Sequence, residues 1–262
     1  GYINQKKLIL PNIGETIREM NNNKKYEYAV AWVDSMAKGE NLGRTVLTLG
    51  NHAKQKDIYT VKRVISPQRK KRAVSIGFDI PFRLFRRSII FILNRVYFYL
   101  QKTSRKETLV YWENFFFPLD HILDWNRFYG KQGLMQFQCV FPVKNSLSGI
   151  VEILQLVNSL GTGSPLTVLK KFGDDDGKFS FPMKGYTISL DFPVSDENLS
   201  LLEKLDKVVM KYEGRIYLSK DSRLSKAMLK QTEKRYNSFK KIRKKMGSVE
   251  VFRSKLSNRL GL

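Results

Sequence analysis

Two short segments alternate so strictly that they set both their own conformation and the faces they present. Met135-Gln136-Phe137-Gln138-Cys139-Val140-Phe141-Pro142 is one, and Tyr186-Thr187-Ile188-Ser189-Leu190-Asp191-Phe192-Pro193 is the other. Side chains along a strand point to opposite faces in turn. Gln136 and Gln138 therefore share one face, and Met135, Phe137, Cys139 and Phe141 the other. Thr187, Ser189 and Asp191 likewise oppose Tyr186, Ile188, Leu190 and Phe192. Paired in one sheet, such strands wall a polar pocket on one side and a core on the other. A polar wall of this kind suits a hydroxyl-rich ligand.

Each segment opens a β–α–β unit. After the Gln strand, Asn145 or Ser146 is placed to cap a helix with the apolar stripe Leu147, Ile150, Val151, Leu154 and Val157, stopped at Gly161. A strand over 166–171 follows. After the Thr/Ser/Asp strand, Ser195 caps a helix carrying Leu199, Leu201, Leu202, Leu205, Val208 and Val209 at helical spacing. Gly214 is expected to end that helix, and residues 215–220 to return as a strand. The two units repeat at an offset of 51, Phe141-Pro142-Val143 falling on Phe192-Pro193-Val194. An earlier unit runs from the strand at 8–11 through a helix at 14–22 to a strand at 28–34. The expected class is α+β, with ferredoxin-like repeats forming an antiparallel sheet, helices on one face, and C-terminal helices beyond.

The charge is distributed as unevenly as the faces. Of the net +23, residues 61–106 carry thirteen Lys/Arg against Asp79 alone, and residues 211–262 sixteen against four acids. Blocks of one sign imply an anionic partner, whether phosphate, an acidic membrane surface or nucleic acid. Residues 61–110 read as a basic irregular insertion. Within them, 82–100 alternates Arg with Phe, Ile and Leu. Its longest uncharged run, 88–94, is far short of the roughly 20 residues of a membrane span. It suits a helix packed on the core or one lying on an anionic bilayer. A single cysteine fits a reducing compartment and reads as a buried core thiol at Cys139. Two histidines and no cysteine cluster argue against structural zinc. No signal peptide is visible, and a start at Gly1 with a strand already under way reads as the continuation of a longer chain.

No GxGxxG, GxSxG, HExxH or phosphate-binding P-loop occurs. Gly173-Asp174-Asp175-Asp176-Gly177 lacks the alternation of a calcium loop and reads as a solvated turn. Lys220, at a strand end beside the polar face, is a candidate to hold an anion or an electron-rich ring edge; pairing with Asp221 is the plainer alternative. Lys170 has the same two readings. Trp32 shares a strand face with Asp34 and suits either a sugar platform or the core.

A set of ordered motifs extends this reading. Tyr28–Asp34, Leu42-Gly43-Arg44, Phe116-Phe117-Pro118-Leu119-Asp120, Trp125-Asn126-Arg127, Tyr129-Gly130, Gln136-Phe137-Gln138, Lys170-Lys171-Phe172-Gly173, Phe179-Ser180-Phe181-Pro182, Leu190-Asp191-Phe192-Pro193, Lys220-Asp221-Ser222-Arg223 and Val251-Phe252-Arg253-Ser254 occur in that order. Together they resemble the C-terminal half of the decaprenylphosphoryl-β-D-ribose 2-oxidase family of vanillyl-alcohol-oxidase-like flavoproteins, over essentially the whole chain and most weakly at 60–110. The resemblance implies an FAD-dependent oxidoreductase acting on CH–OH groups. Residues 1–222 would form its substrate domain. Residues 223–262 would be a helical segment packing back on an N-terminal flavin domain absent from this sequence, so that this chain alone would be inactive. The implied reaction oxidises the 2-hydroxyl of a polyprenyl-phosphate-linked ribose on the way to arabinose, followed by a short-chain NAD(P)H-dependent reductase. The implied pocket is Trp32, Phe116, Gln136, Gln138, Lys170, Thr187, Ser189 and Asp191, with Lys220 as the catalytic and flavin-contacting residue.

The sequence departs from familiar actinobacterial members, which carry Cys at Ser189, Asn at Thr187 and Tyr at Phe116. These changes are compatible with the flavin chemistry that the resemblance implies and bear on the exact substrate. The implied location is the bacterial cytoplasm or the inner face of the plasma membrane, with the periplasm as the other setting. Two rival functions are an aldonolactone or other sugar-alcohol oxidase of the same superfamily, and a basic nucleic-acid-binding protein using 211–262. No nucleic-acid motif supports the second.

Overall fold

In the computed structural model of the chain, which describes residues 1–55, 72–79, 81, 86–160, 163–175, 177 and 179–262, the repeated units pair directly. The Gln strand is β7 (Leu134–Pro142) and the Thr/Ser/Asp strand β9 (Gly185–Pro193). They run antiparallel with Gln136 opposite Asp191, Gln138 opposite Ser189 and Val140 opposite Thr187. With α4 (Ser146–Leu160), β8 (Thr167–Phe172), α5 (Asp196–Lys211) and β10 (Arg215–Ile216), the spatial order is β10-β7-β9-β8. That is the fourth-first-third-second order of a ferredoxin-like unit, every neighbour antiparallel.

The sheet continues through β2 (Tyr28–Val33), β3 (Thr45–His52), β1 (Tyr2–Leu10) and β5 (Glu107–Tyr111), giving eight strands among the described residues. Helix α1 (Ile13–Asn22) joins β1 to β2 and is capped by Asn12, whose side chain accepts from the Glu15 N–H at 2.9 Å. The apolar faces of β7, β9 and β8 pack with Ile150, Ile153, Leu154 and Val157 of α4 and Leu201, Leu202, Leu205 and Val209 of α5 in one large core. Burial of branched apolar side chains on this side of the sheet drives its assembly.

Two expected termini differ. Ser146 does not cap α4: its hydroxyl donates to the Phe141 and Pro142 carbonyls, and a 3₁₀ turn over Val143–Asn145 leads into the helix instead. At the end of α5, Glu213, not Gly214, takes the left-handed conformation, φ 56°. Gly214 is needed for space, since a Cβ there would sit 2.8 Å from the Val140 carbonyl oxygen. The Ser195 cap is as expected, accepting from Asn198 N–H at 3.2 Å. The Gly161 stop lies outside the described residues. The return strand also falls short of 215–220. After Ile216 the chain turns, because the Asp221 carboxylate accepts from the N–H groups of Arg223 and Leu224.

Of the insertion, residues 61–71, 80 and 82–85 lie outside the described residues. Within it, β4 (Val74–Ser75) pairs with β6 (Ile122–Leu123), and α2 (Arg87–Lys102) buries the four-spaced stripe Ile90, Asn94 and Phe98. Helix α2 lies on the sheet face opposite the main core, its Tyr97 ring 4.6 Å from Trp32. The short α3 (Trp112–Phe116) packs over the same face near β1, in a small cluster of Ile3, Val110, Phe115, Phe116 and Tyr28.

Residues 223–262 form α6 (Lys226–Thr232), α7 (Tyr236–Lys245), α8 (Ser248–Val251) and α9 (Lys255–Leu260). Leu224, Leu229, Tyr236 and Leu260 join the main core, and Arg223 forks onto Asp206 at 2.5 and 2.8 Å. These residues of the segment therefore pack on this domain's own core.

Candidate functional site

Residues opposite one another in neighbouring strands share a face, so the register places the polar side chains directly. One row across the open face reads Gln138, Ser189, Val168, Trp32, Val46; the next reads Val140, Thr187, Lys170, Val30, Thr48. Seven of the nine residues read from the sequence thus lie on one face: Trp32, Gln136, Gln138, Lys170, Thr187, Ser189 and Asp191. Trp32 stands two strands from Ser189, about 10 Å at ordinary strand spacing.

At the β7–β9 end the groups are tied together. Gln136 Nε2 donates to Asp191 Oδ1 at 2.5 Å, and Tyr129 O–H donates to Oδ2 at 3.3 Å. Gln138 Nε2 donates to Thr187 Oγ1 at 3.2 Å, whose hydroxyl in turn donates to the Cys139 carbonyl at 2.8 Å. The Asp191 N–H is held by Ser164 Oγ at 3.0 Å. The carboxylate is thereby fixed while the rims of Gln136, Gln138 and Ser189 stay partly open.

Lys220 reaches this end from the turn after β10. The turn is anchored by Tyr217 N–H on the Gln138 carbonyl at 2.9 Å, and Gln136, Gln138, Tyr217 and Lys220 line one narrow cleft. The plainer pairing with Asp221 does not form. Asp221 instead takes Arg259 at 2.8 Å as well as two backbone N–H groups. Lys220 is exposed, and its charge acts on Asp191. Lys170 is exposed one row away.

Trp32 and Phe116 each have an aromatic neighbour. Trp32 is covered on one side by Tyr97, so α2 lies over this part of the open sheet face. Its neighbour Asp34 is closed off by Arg44 at 2.7 Å. Phe116 lies edge-on to Tyr28 at 4.8 Å, beyond Trp32, and is not gathered with the Gln136–Asp191 group. Tyr129 is the residue sequence reasoning passed over. It appears within a Tyr-Gly motif, but its fully buried position under Asp191 needs the fold to be seen.

Burial pushes the Asp191 carboxyl above the usual range, offset in part by the hydrogen bonds from Gln136 and Tyr129 and by Lys220. Burial and the Asp191 charge hold the Tyr129 phenol well above its ordinary value, so it stays a donor. A carboxyl raised by folding adds stability at pH below its unfolded value, and that contribution fades as pH climbs through the folded value. Asp191→Asn should therefore gain stability relative to the parent chain on going from about pH 4 to pH 7. Thermal midpoints of both proteins at the two pH values check this; a pH-independent difference contradicts it.

Cys139 faces the helix side, fully buried, with burial pushing its thiol well up. Thiol-directed electrophiles should therefore leave the folded chain unmodified. Intact-mass spectrometry reads this, and an adduct at Cys139 or Ser189 in the folded protein contradicts it.

The open face offers amide donors, a fixed carboxylate, hydroxyls and a cation, with an aromatic wall. The Asp174–Asp175 loop is engaged locally, Lys184 meeting Asp174 at 3.1 Å and the Gly177 N–H meeting Asp175 at 3.2 Å. Among the described residues no three His, Cys, Asp or Glu side chains converge to hold a metal.

These features lie in a chain with known relatives. It is similar to decaprenylphosphoryl-β-D-ribose oxidase. The relative, from Mycolicibacterium smegmatis, is 28% identical over 248 residues, 90% of this chain and 52% of its own length. An uncharacterized protein in the mprA 5′ region of Streptomyces coelicolor is 30% identical over 145 residues, 54% of this chain and 39% of its own. The chain thus spans about half the length, or less, of the curated relatives it matches. No family model matches it. Among solved structures, a berberine bridge enzyme variant aligns over 80% of the chain with TM-score 0.41 and 11% identity. The 6-hydroxy-D-nicotine oxidase of Arthrobacter nicotinovorans aligns over 90% with TM-score 0.35 and 12% identity.

Proposed function

We propose that this chain is the substrate-binding half of an FAD-dependent oxidoreductase that oxidises a sugar hydroxyl, and that its substrate is a polyprenyl-phosphate-linked ribose oxidised at the 2-hydroxyl. One observation carries the reading. Gln136, Gln138, Ser189 and Asp191 share the open sheet face, and Lys220 lines a cleft with Gln136 and Gln138, in a chain similar over nine-tenths of its length to decaprenylphosphoryl-β-D-ribose oxidase. The flavin, contributed mainly by an N-terminal domain, would accept the hydride from the C2–H bond.

The residues present fit one edge of such a ring system: an exposed ammonium that pairs with no carboxylate among the described residues, beside two amide side chains. No glycine-rich phosphate loop lies in this sequence to hold the dinucleotide. Gln136, Gln138 and Asp191 orient the sugar hydroxyls, and Trp32 with Tyr97 borders the ring on the β2 side. Lys220 stabilises negative charge arising at the flavin edge and the substrate oxygen. Lys170 supports the phosphate side of the substrate. A short-chain NAD(P)H-dependent reductase would act next, converting the ketone to the arabinose epimer. A lipid-linked substrate puts the enzyme at a membrane surface, although no helix among the described residues is long and apolar enough to cross one.

The test is substrate preference with the flavin domain joined to this chain. Polyprenylphosphoryl ribose should show a kcat/KM far above that of free aldonolactones or pentoses. Equal turnover of soluble sugars would favour the aldonolactone-oxidase alternative.

A further inference from the structure

We infer that the outward face of α2 is a docking surface for an anionic lipid bilayer, so that the helix walling the sugar pocket also seats the protein on the membrane. The proposal deepens the reading of a lipid-linked substrate by naming the surface that meets the lipid.

The helix has two apolar sides where one would suffice to hold it. Ile90, Asn94 and Phe98 point inward and are buried, and Asn94 Nδ2 donates to the Ser164 carbonyl at 3.3 Å. Arg44 stacks on Phe98 at 4.4 Å, and Lys7 donates to Gln101 at 3.0 Å. The inner stripe is therefore fully engaged. The outer side carries Ile92, Leu93, Val96, Tyr99 and Leu100, of which Ile92 is 56%, Val96 51% and Leu100 62% exposed. At 100° per residue, Ile92, Val96, Leu93 and Leu100 form one continuous face. Water-exposed apolar patches of this kind mark an interaction site.

Charge selects the occupant. No acid occurs between Asp79 and Glu107, while 80–106 carries seven Lys/Arg. On the helix, Arg95 and Lys102 gather over the Tyr99 ring at 5.6 and 4.9 Å, along one border of the apolar face. Apolar side chains flanked by arginine, lysine and interfacial tyrosine suit insertion to headgroup depth, with each cation near anionic lipid adding to binding. A protein partner's patch would have to meet this run of one sign with matching acids around an apolar centre, whereas an anionic leaflet supplies both at once.

The connection to the site is direct. Tyr97 lies on the same helix and packs on Trp32 at 4.6 Å, so a sugar held on the open face sits beside the lipid-facing helix. A tail entering the bilayer then needs no long path from the sugar.

The experiment is vesicle sedimentation of the full chain. Phosphatidylcholine vesicles containing one-third phosphatidylglycerol should pellet it, and pure phosphatidylcholine vesicles only weakly. The double variant Leu93→Asp/Leu100→Asp should lose at least about tenfold in binding, with an unchanged thermal midpoint. Met210→Asp, an exposed apolar position on α5, serves as the control and should bind as the parent does. No binding to the anionic vesicles overturns the proposal, as does equal binding by the double variant. Binding instead to a purified flavin domain through these leucines, without vesicle binding, assigns the face to that domain and also overturns it. Sedimentation requires neither flavin nor sugar, so its failure leaves the oxidase reading standing. Failure of sugar oxidation would likewise leave vesicle binding intact.

Discussion

Replacing Lys220 by alanine is expected to slow substrate-dependent flavin reduction by about 10²–10³-fold in the protein carrying its flavin domain, with flavin content and folding unchanged. The size follows from where the charge stands. An ammonium already neutralised by a neighbouring carboxylate would lose little on removal. Here Asp221 is committed to Arg259 and two backbone N–H groups, and Asp191 is held by Gln136 and Tyr129. Lys220 thus remains available to a developing negative charge on the open face. Loss of a group that acts mainly in the transition state appears in kcat more than in KM. Lys220→Arg, which keeps the charge with a different donor geometry, should recover part of the rate. Single-turnover flavin absorbance reads both variants. A Lys220→Ala enzyme within threefold of the parent would remove the residue from the chemistry.

The largest expected stability effect lies beneath the site. Phe141→Ala should destabilise the fold by about 3–5 kcal/mol, lowering the thermal midpoint by roughly 10 °C for a chain of this size. The ring is fully buried where β7, α4 and the end of α5 meet. Two glycines hold its space: an added Cβ at Gly149 would lie 2.8 Å from the ring, and one at Gly214 2.9 Å. Tyr212 meets it edge-on at 6.3 Å while its hydroxyl donates to Glu152 at 2.8 Å, linking α5 to α4. With backbone on two sides, the surroundings cannot close around a truncated side chain, and the cavity term is retained. Gly149→Ala should destabilise through overpacking by about 1–3 kcal/mol. Urea titration measures both; a Phe141→Ala loss below 1 kcal/mol contradicts this packing.

The faces of β7 and β9 were legible because a two-residue period has only two sides, and one side had to be buried. Once the 51-residue offset aligned Phe141-Pro142 with Phe192-Pro193, the pairing of the two units followed. Helices α4 and α5 were legible from spacing for the same reason. What failed was decided by contacts distant in sequence. Asp221 turns the chain after Ile216 because Arg259, 38 residues on, and local N–H groups claim its carboxylate. The left-handed residue fell to Glu213 because Gly214 was needed against the Val140 carbonyl. Tyr129 escaped notice because its partner Asp191 is 62 residues away. Phe116 came to the pocket set by resemblance alone, and in the fold it meets Tyr28 and Phe115. Helix α2 carries apolar side chains nearly all round, so its pattern alone did not say which stripe faces the sheet.

The central claim is that the open face of this sheet presents a sugar carbon to a flavin. Stopped-flow absorbance of the protein with its flavin domain tests it most directly, using polyprenylphosphoryl ribose with hydrogen or deuterium at C2. Flavin absorbance should fall on mixing, and more slowly with the deuterated sugar. Unchanged absorbance, or a rate that ignores deuterium at C2 under single-turnover conditions, would contradict it.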